Sequence, residues 1–499
     1  MWWFVLLAMI IAIMYYYINQ KMNYWKKRNI AYEKSLPFIG NMLQSIMGTC
    51  STTDFFSNIY KKYPNKRYVG IFDIKGPALL IKDPELIKLV LVKEFDTFFE
   101  HKLLVPQHTD SFWGNNIFAI TGTEEWRQLR TILSSLFTGF KMRNMFLVMN
   151  EYSKLFSKNF IQHFDLAEVE LKDLFSRFAN DAVLATSFGI SCDSISEPNN
   201  DFYVKGHHIS YLLNSFQPIF TQYFKIPIIT KKLGRFFKTY ITKTIRSRRE
   251  SGGTQTDMLH FLIAAQEKKI GNEEVCAKPK FELTDDMITA QFILFIFAGF
   301  DSVSTFMALA FYELALNLDV QKKLYTEVRE TLTESNGEIT YDNLKAMKYL
   351  DMVVSETLRK WPPFVSLNRV ARKPFTIEPK ESGEQVLLIE KGLSIEIPIV
   401  CLQRDPKYYP NPKKFDPERF NDKLKIEPYT YLPFGAGPRN CIASRMALLE
   451  GKLIIAEIIS KCEVLPIKKT KVPLPMGKCN FSELPEEGVW VGFKLRKLC

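Results

Sequence analysis

The chain is predicted to be mainly α with a small β part, and three observations predict it. Helical hydrophobic periodicity dominates from Trp126 to about Arg359. Strand and turn patterns are confined to a stretch near the start and to the Pro-rich segment between Arg359 and Pro433. The N-terminus, Met1 to Ile18, is apolar and carries no charged side chain.

That first segment, about 18 residues at a rise of about 1.5 Å, extends about 27 Å, close to the hydrocarbon thickness of a bilayer. Lys21, Lys26, Lys27 and Arg28 follow it and no Lys or Arg precedes it. The positive-inside bias therefore places the remainder in the cytosol. A cleaved signal peptide is the competing reading, but it wants small residues where this chain has Tyr15, Tyr16 and Tyr17. Pro37 and Gly40 interrupt any continuing helix. From Arg67 to Ile81, alternation about Lys75-Gly76 predicts strand, turn, strand, and Asp83-Pro84-Glu85 then opens a helix with an N-cap residue and proline at the first position. Met287 to Tyr312 is apolar enough to suggest a second membrane helix, but Asp301 near its middle is costly in lipid and Thr284-Asp285-Asp286 caps its start. A buried helix of a soluble domain is expected there.

At 499 residues with 46% hydrophobic, 24% charged and 40 Phe, the chain is neither disordered nor collagen-like, and it suits an apolar binding cavity. The formal charge is +12, with both signs interspersed. No basic helix or aromatic–basic alternation points to nucleic acid, which is not expected as a partner. A solvated basic surface, an anionic membrane and an acidic protein partner all remain open. The eight cysteines, at 50, 192, 276, 401, 441, 462, 479 and 499, lack the spacings of zinc or redox motifs and fit a reducing compartment.

One cysteine has special surroundings. In Phe434-Gly-Ala-Gly-Pro-Arg-Asn-Cys441, Gly435 and Gly437 permit a tight turn and close approach to a flat ligand. The helical pattern from Ser444 to Ile459 aims its N-terminal N–H groups at the sulfur, an environment expected to favour a thiolate. Arg439 can meet an anionic group at the ligand's edge, and Phe434 can cover the sulfur. Within the inner apolar helix, Ala298, Asp301, Ser302 and Thr305 are expected on one face. There Asp301 and Ser302 would relay protons. Read alone, this is equally a helix with a buried polar pair.

The cysteine segment resembles the haem-binding loop of the cytochrome P-450 family, Phe-x-x-Gly-x-Arg-x-Cys-x-Gly, with Ala443 in place of the last glycine. The resemblance implies a cytochrome P-450 fold with haem b held by Cys441 as thiolate ligand. Glu356-x-x-Arg359 with Arg419 matches the family's buried ion triad, although Glu-x-x-Arg alone is weak and recurs from Glu124 to Arg127. Trp126-x-x-x-Arg130 and Arg369 match propionate contacts, and Ser302 stands where threonine is usual. Tyr60-Lys-Lys-Tyr63, Thr138 to Met142, Lys360 to Pro363 and Asp405 to Pro412 resemble insect microsomal members associated with foreign-compound metabolism.

From that likeness the chain reads as an anchor over 1–20, a basic and Pro/Gly hinge over 21–41 and a catalytic domain over 42–499 in the endoplasmic reticulum membrane. It would insert one atom of O2 into a hydrophobic small molecule, with NADPH electrons from cytochrome P-450 reductase and cytochrome b5 as a further partner. The substrate pocket is expected to draw on Phe112, Trp113, Phe118, Phe216, Phe220, Phe297, Phe300, Val365 and Leu367. Two rivals are a reductase-independent haem isomerase or dehydratase and a catalytically impaired haem-binding protein, the second prompted by Ser302 and Ala443.

Overall fold

The computed structural model describes residues 2–37, 39–74, 76–103, 105–161, 167–214, 224–251, 257–267, 282–477 and 485–496. The chain divides into two compact units that interleave in sequence. Nine strands occur among the described residues: β1 (Tyr68–Phe72), β2 (Pro77–Ile81), β3 (Ala167–Glu170), β4 (Leu367–Val370), β5 (Phe375–Ile377), β6 (Leu387–Ile389), β7 (Ser394–Ile397), β8 (Cys462–Leu465) and β9 (Trp490–Leu495).

The first unit comprises Met1–Lys102, Val365–Tyr408 and Glu427–Asn440. Its main sheet has the order β1-β2-β7-β4, with β1 and β2 as the antiparallel hairpin that the alternation predicts. Every residue of β1 is buried, because Trp25 covers one side and the helix Thr52–Lys62 supplies Phe55, Phe56 and Ile59 to the other. Gly70 is required beneath Trp25, since a Cβ there would lie 2.5 Å from the indole ring. The indole N–H donates to the Ile71 carbonyl at 2.9 Å, so the segment after the N-terminal helix is tied into the sheet. The helix after Asp83 forms over Pro84–Lys88 with Asp83 at the N-cap position and Pro84 in the first turn as expected, but the Asp83 carboxylate makes no cap hydrogen bond and pairs with Arg67 at 3.3 Å. Half-buried Lys102 and Asp73 form a charge cluster here with buried Glu396, with Lys102 2.6 Å from Asp73.

The second unit comprises Leu103–Phe364, Tyr409–Ile426 and Cys441–Cys499, is mainly helical, and carries the sheet β3-β9-β8. Its central element is Asp285–Leu316, which Thr284 caps by accepting from the Met287 N–H at 3.3 Å. It is apolar on all sides because neighbours enclose it: the helix Leu171–Phe188 lies along it, with Phe175 stacked on Phe311 at 5.0 Å. Among the described residues it is the one helix long and apolar enough to cross a membrane, and 78% of its most apolar window is buried. The burial fits the expected core helix. The N-terminal helix Trp2–Met22 does form, and Trp2, Trp3, Phe4, Tyr15 and Tyr16 on it are exposed.

Candidate active site

The second unit contributes Cys441, which opens the helix Ser444–Lys461. The Ala443 backbone N–H is directed at the thiol and the positive charge of Arg130 acts on it, and both favour the ionised form. Burial opposes them and prevails, so the Cys441 pKa stands above that of an ordinary thiol. Protein crowds Cys441 on most sides, yet the residue retains exposed surface. Buried Cys401, in the first unit, differs: burial pushes it up to about 12, and its sulfur lies 3.8 Å from Ser57 Oγ. Ala443 adopts φ −97° and ψ 16°, open to any L-residue, so it takes the usual glycine position without backbone strain.

Trp126 and Arg130 lie one turn apart on the helix Thr123–Ser134, with Trp126 buried. Burial lowers the Arg130 pKa and Cys441 counteracts it.

The inner helix departs from expectation at its most informative point. Residues Ala298–Ser302 form a wide π-turn between α-helical Asp285–Phe297 and Val303–Leu316. The extra residue in that turn rotates the side chains out of a common face. Ala298 is exposed and Ser302 is half-buried, its hydroxyl donating back to the Ala298 carbonyl at 2.6 Å. Asp301 and Thr305 are buried. The Asp301 carboxylate accepts from Ser210 Oγ at 2.7 Å and Lys172 Nζ at 3.1 Å, and Thr305 Oγ1 donates to the Asp301 carbonyl at 2.8 Å.

Glu356, Arg359 and Arg419 meet in one buried network. Arg359 Nε and Nη2 donate to the Glu356 carboxylate at 2.6 and 2.9 Å, and Arg419 Nε donates at 3.2 Å. The Asp416 N–H adds a contact at 2.9 Å. The two arginines also hold the Pro410, Asn411 and Pro412 carbonyls, so the network clamps a connecting segment.

In the same unit Trp113 meets Phe297 edge-on with ring centres 6.0 Å apart, and Phe112 lies against Gly234. Gln291 of the inner helix accepts from the Ile117 N–H at 2.8 Å and fixes the loop that carries half-buried Phe118. Phe300 is buried between the edges of Tyr203 and His207. Phe216 and Phe220 lie outside the described residues.

The first unit carries the rest of the cysteine loop. Gly435 and Gly437 have φ of 70° and 74°. A Cβ on Gly437 would stand 1.9 Å from the Leu91 carbonyl oxygen, so backbone geometry and packing demand glycine there. Half-buried Phe434 precedes them; buried Arg439 lies over the Phe99 ring at 4.2 Å. Arg369 on β4 is 1% exposed, and its Nη1 stands 3.1 Å from His101 Nδ1. Burial with Arg369 and Arg439 beside it holds His101 well below the usual imidazole pKa, so its neutral ring accepts from Arg369. No motif spacing marks His101, which sits in Phe98-Phe-Glu-His101-Lys with nothing to set it apart. Leu367 is half-buried beside Gly435, whereas Val365 is 3% exposed in the apolar cluster with Phe55 and Phe56.

Residues 31–490 match the cytochrome P-450 family model. The chain belongs to the cytochrome P-450 family. It is 36% identical to cytochrome P-450 9e2 of Blattella germanica, over 99% of this chain and 98% of that one. It is 34% identical to probable cytochrome P-450 9f2 of Drosophila melanogaster, over 98% of each. It is 33% identical to cytochrome P-450 6j1 of Blattella germanica, over 96% and 94% of the two chains. As a cytochrome P-450 it is a monooxygenase of the oxidoreductase class, and the family implies haem on a cysteine thiolate. Buried Arg369 fits such a group: among the described residues its Nε has no hydrogen-bond partner, and burial lowers the guanidinium pKa to about 10. A buried cation with an unused N–H suits a carboxylate at a cofactor's edge.

Proposed function

We propose that Cys441 would hold haem iron through its thiolate and that the protein inserts one oxygen atom of O2 into a hydrophobic small molecule. The observation that carries the reading is Cys441 itself: it keeps exposed surface and, of the cysteines described, is the one on a Phe-x-x-Gly-x-Arg-x-Cys loop, with an N–H and an arginine facing its sulfur. When bound, thiolate-ligated haem supplies the oxygen-activating chemistry.

The chain's own residues hold, orient and exclude. By likeness to the family, Trp126, Arg130, Arg369 and Arg439 would each hold a propionate, and neutral His101 orients the Arg369 guanidinium. Phe434 limits water at the sulfur. Exposed Ala298 and half-buried Ser302 would face the cofactor, with Asp301 and Ser302 relaying protons and Thr305 bracing the Asp301 carbonyl. The Glu356, Arg359 and Arg419 network fixes the segment leading to the cysteine loop. Phe112, Trp113, Phe118 and Phe297 confront substrate; Leu367, Phe216 and Phe220 join them on likeness alone. Phe300 and Val365 serve the core instead.

NADPH supplies electrons through cytochrome P-450 reductase, with cytochrome b5 as a second donor. The helix Trp2–Met22, with its exposed aromatic side chains, anchors the protein in the endoplasmic reticulum membrane with residues 42–499 in the cytosol. Reconstitution with reductase, NADPH, labelled dioxygen and a panel of lipophilic compounds tests the function. Product carrying one labelled atom is expected. Product formed without NADPH would identify an isomerase instead, and no NADPH consumption with any compound would identify a binding protein.

A further inference from the structure

The carbonyls around the π-turn in the inner helix are held by side chains rather than by regular helix bonds alone. The Asp301 carbonyl accepts from Lys172 Nζ at 2.8 Å, Thr305 Oγ1 at 2.8 Å and Ser304 Oγ at 3.1 Å. Ser304 Oγ also donates to the Phe300 carbonyl at 2.6 Å and itself accepts from Lys172 Nζ at 2.6 Å and Ser176 Oγ at 3.2 Å. Lys172 therefore meets the turn three times, at the Asp301 carbonyl, the Asp301 carboxylate and the Ser304 hydroxyl.

Lys172 comes from another element, the first turn of the helix Leu171–Phe188. Glu170 fixes that turn by accepting from the Lys172 and Asp173 N–H groups at 3.1 and 2.6 Å, and it also takes the Val489 N–H at 2.8 Å. The lysine is thus delivered from a rigid base. Its surroundings are dry enough that burial lowers its pKa despite Asp301. An ammonium in such a site remains where three oxygens can satisfy its three protons, and these three do so.

We propose that Lys172 is the positioning residue of the oxygen-facing turn. It pins the widened backbone at Asp301 and turns the carboxylate toward Ser210, thereby setting the direction from which Asp301 hands on protons. No contact of Lys172 with cofactor or substrate is involved; it acts through Asp301. The inference rests on the haem-thiolate reading of the site.

Lys172→Met keeps length and apolar bulk but removes the charge. Amide hydrogen exchange of the segment 298–305 in the haem-loaded protein should then accelerate roughly tenfold or more, since hydrogen bonds to a charged group are among the stronger ones and local opening reads their loss. The carbon monoxide spectrum should be unchanged. Product per NADPH should fall several-fold with KM held, and Lys172→Arg should restore most of both losses. Ser210→Ala separates the two contacts: product per NADPH should fall while exchange at 298–305 stays within twofold of the parent. Unchanged exchange in Lys172→Met, or failure of arginine to restore coupling, would overturn the assignment. So would a Ser210→Ala protein with unaltered coupling. Loss of the thiolate spectrum in the parent protein would instead strike the haem reading on which the inference stands.

Discussion

Removing the Glu356 carboxylate should destabilise the second unit heavily. Glu356 is 0% exposed and takes hydrogen bonds from Arg359 twice, from Arg419 and from the Asp416 N–H. In Glu356→Ala, Arg359 remains 0% exposed with the Pro412 carbonyl but no carboxylate in this network. Breaking a buried pair from one side costs about 3–5 kcal/mol, mostly the penalty of the abandoned charge. That is a large part of the roughly 5–15 kcal/mol by which domains are stable. The double variant Glu356→Leu, Arg359→Met removes the acid and the fully buried arginine together and should recover more than half of the loss, because only Arg419, whose side chain keeps 12% exposure, then lacks this carboxylate. Urea unfolding followed by tryptophan fluorescence reads the difference. A Glu356→Ala protein within about 1 kcal/mol of the parent, or a double variant as unstable as the two single losses added, would refute the reasoning.

Three further outcomes follow from named residues. Glu450 is 1% exposed and burial raises its pKa from 4.5 to about 8, so the folded protein keeps a proton there that the unfolded chain releases. Its contribution is fully present below pH 4.5 and is lost as pH rises through about 8, so urea midpoints should fall less steeply from pH 5 to pH 8 in Glu450→Gln than in the parent. An equal slope would contradict this. Arg369→Leu should speed transfer of haem to an acceptor protein without lowering the stability of the haem-free form, because burial is the sole cause of the lowered Arg369 pKa; a less stable haem-free form would count against it. Ala443→Gly should cost about 0.5–1 kcal/mol in the same urea assay, since φ of −97° suits alanine and glycine only loosens the unfolded chain. A gain in stability would show that the alanine methyl is strained.

The helices, the β1–β2 hairpin and the cysteine loop were legible because each follows from local rules: periodicity, alternation, and glycine where φ is positive. The ion network was legible only through resemblance, since Glu-x-x-Arg is common on helices and the partner Arg419 lies 63 positions from Glu356. The common face expected for Ala298, Asp301, Ser302 and Thr305 failed because a π-turn inserts a residue, and no periodicity reports such a turn before the surrounding side chains are known. His101 and Lys172 were missed for a related reason: their significance comes from what they touch, and their neighbours in sequence are unremarkable. The burial that raises the Cys441 thiol pKa was not legible, because it comes from residues distant in sequence.

The decisive measurement is the carbon monoxide difference spectrum of the reduced protein, with Cys441→Ala and Cys401→Ala beside the parent. A Soret band shifted far to the red in the parent and in Cys401→Ala, and absent from Cys441→Ala, is the predicted result. A red-shifted band that survives in Cys441→Ala, or a parent band at the position of histidine ligation, would contradict the assignment of Cys441.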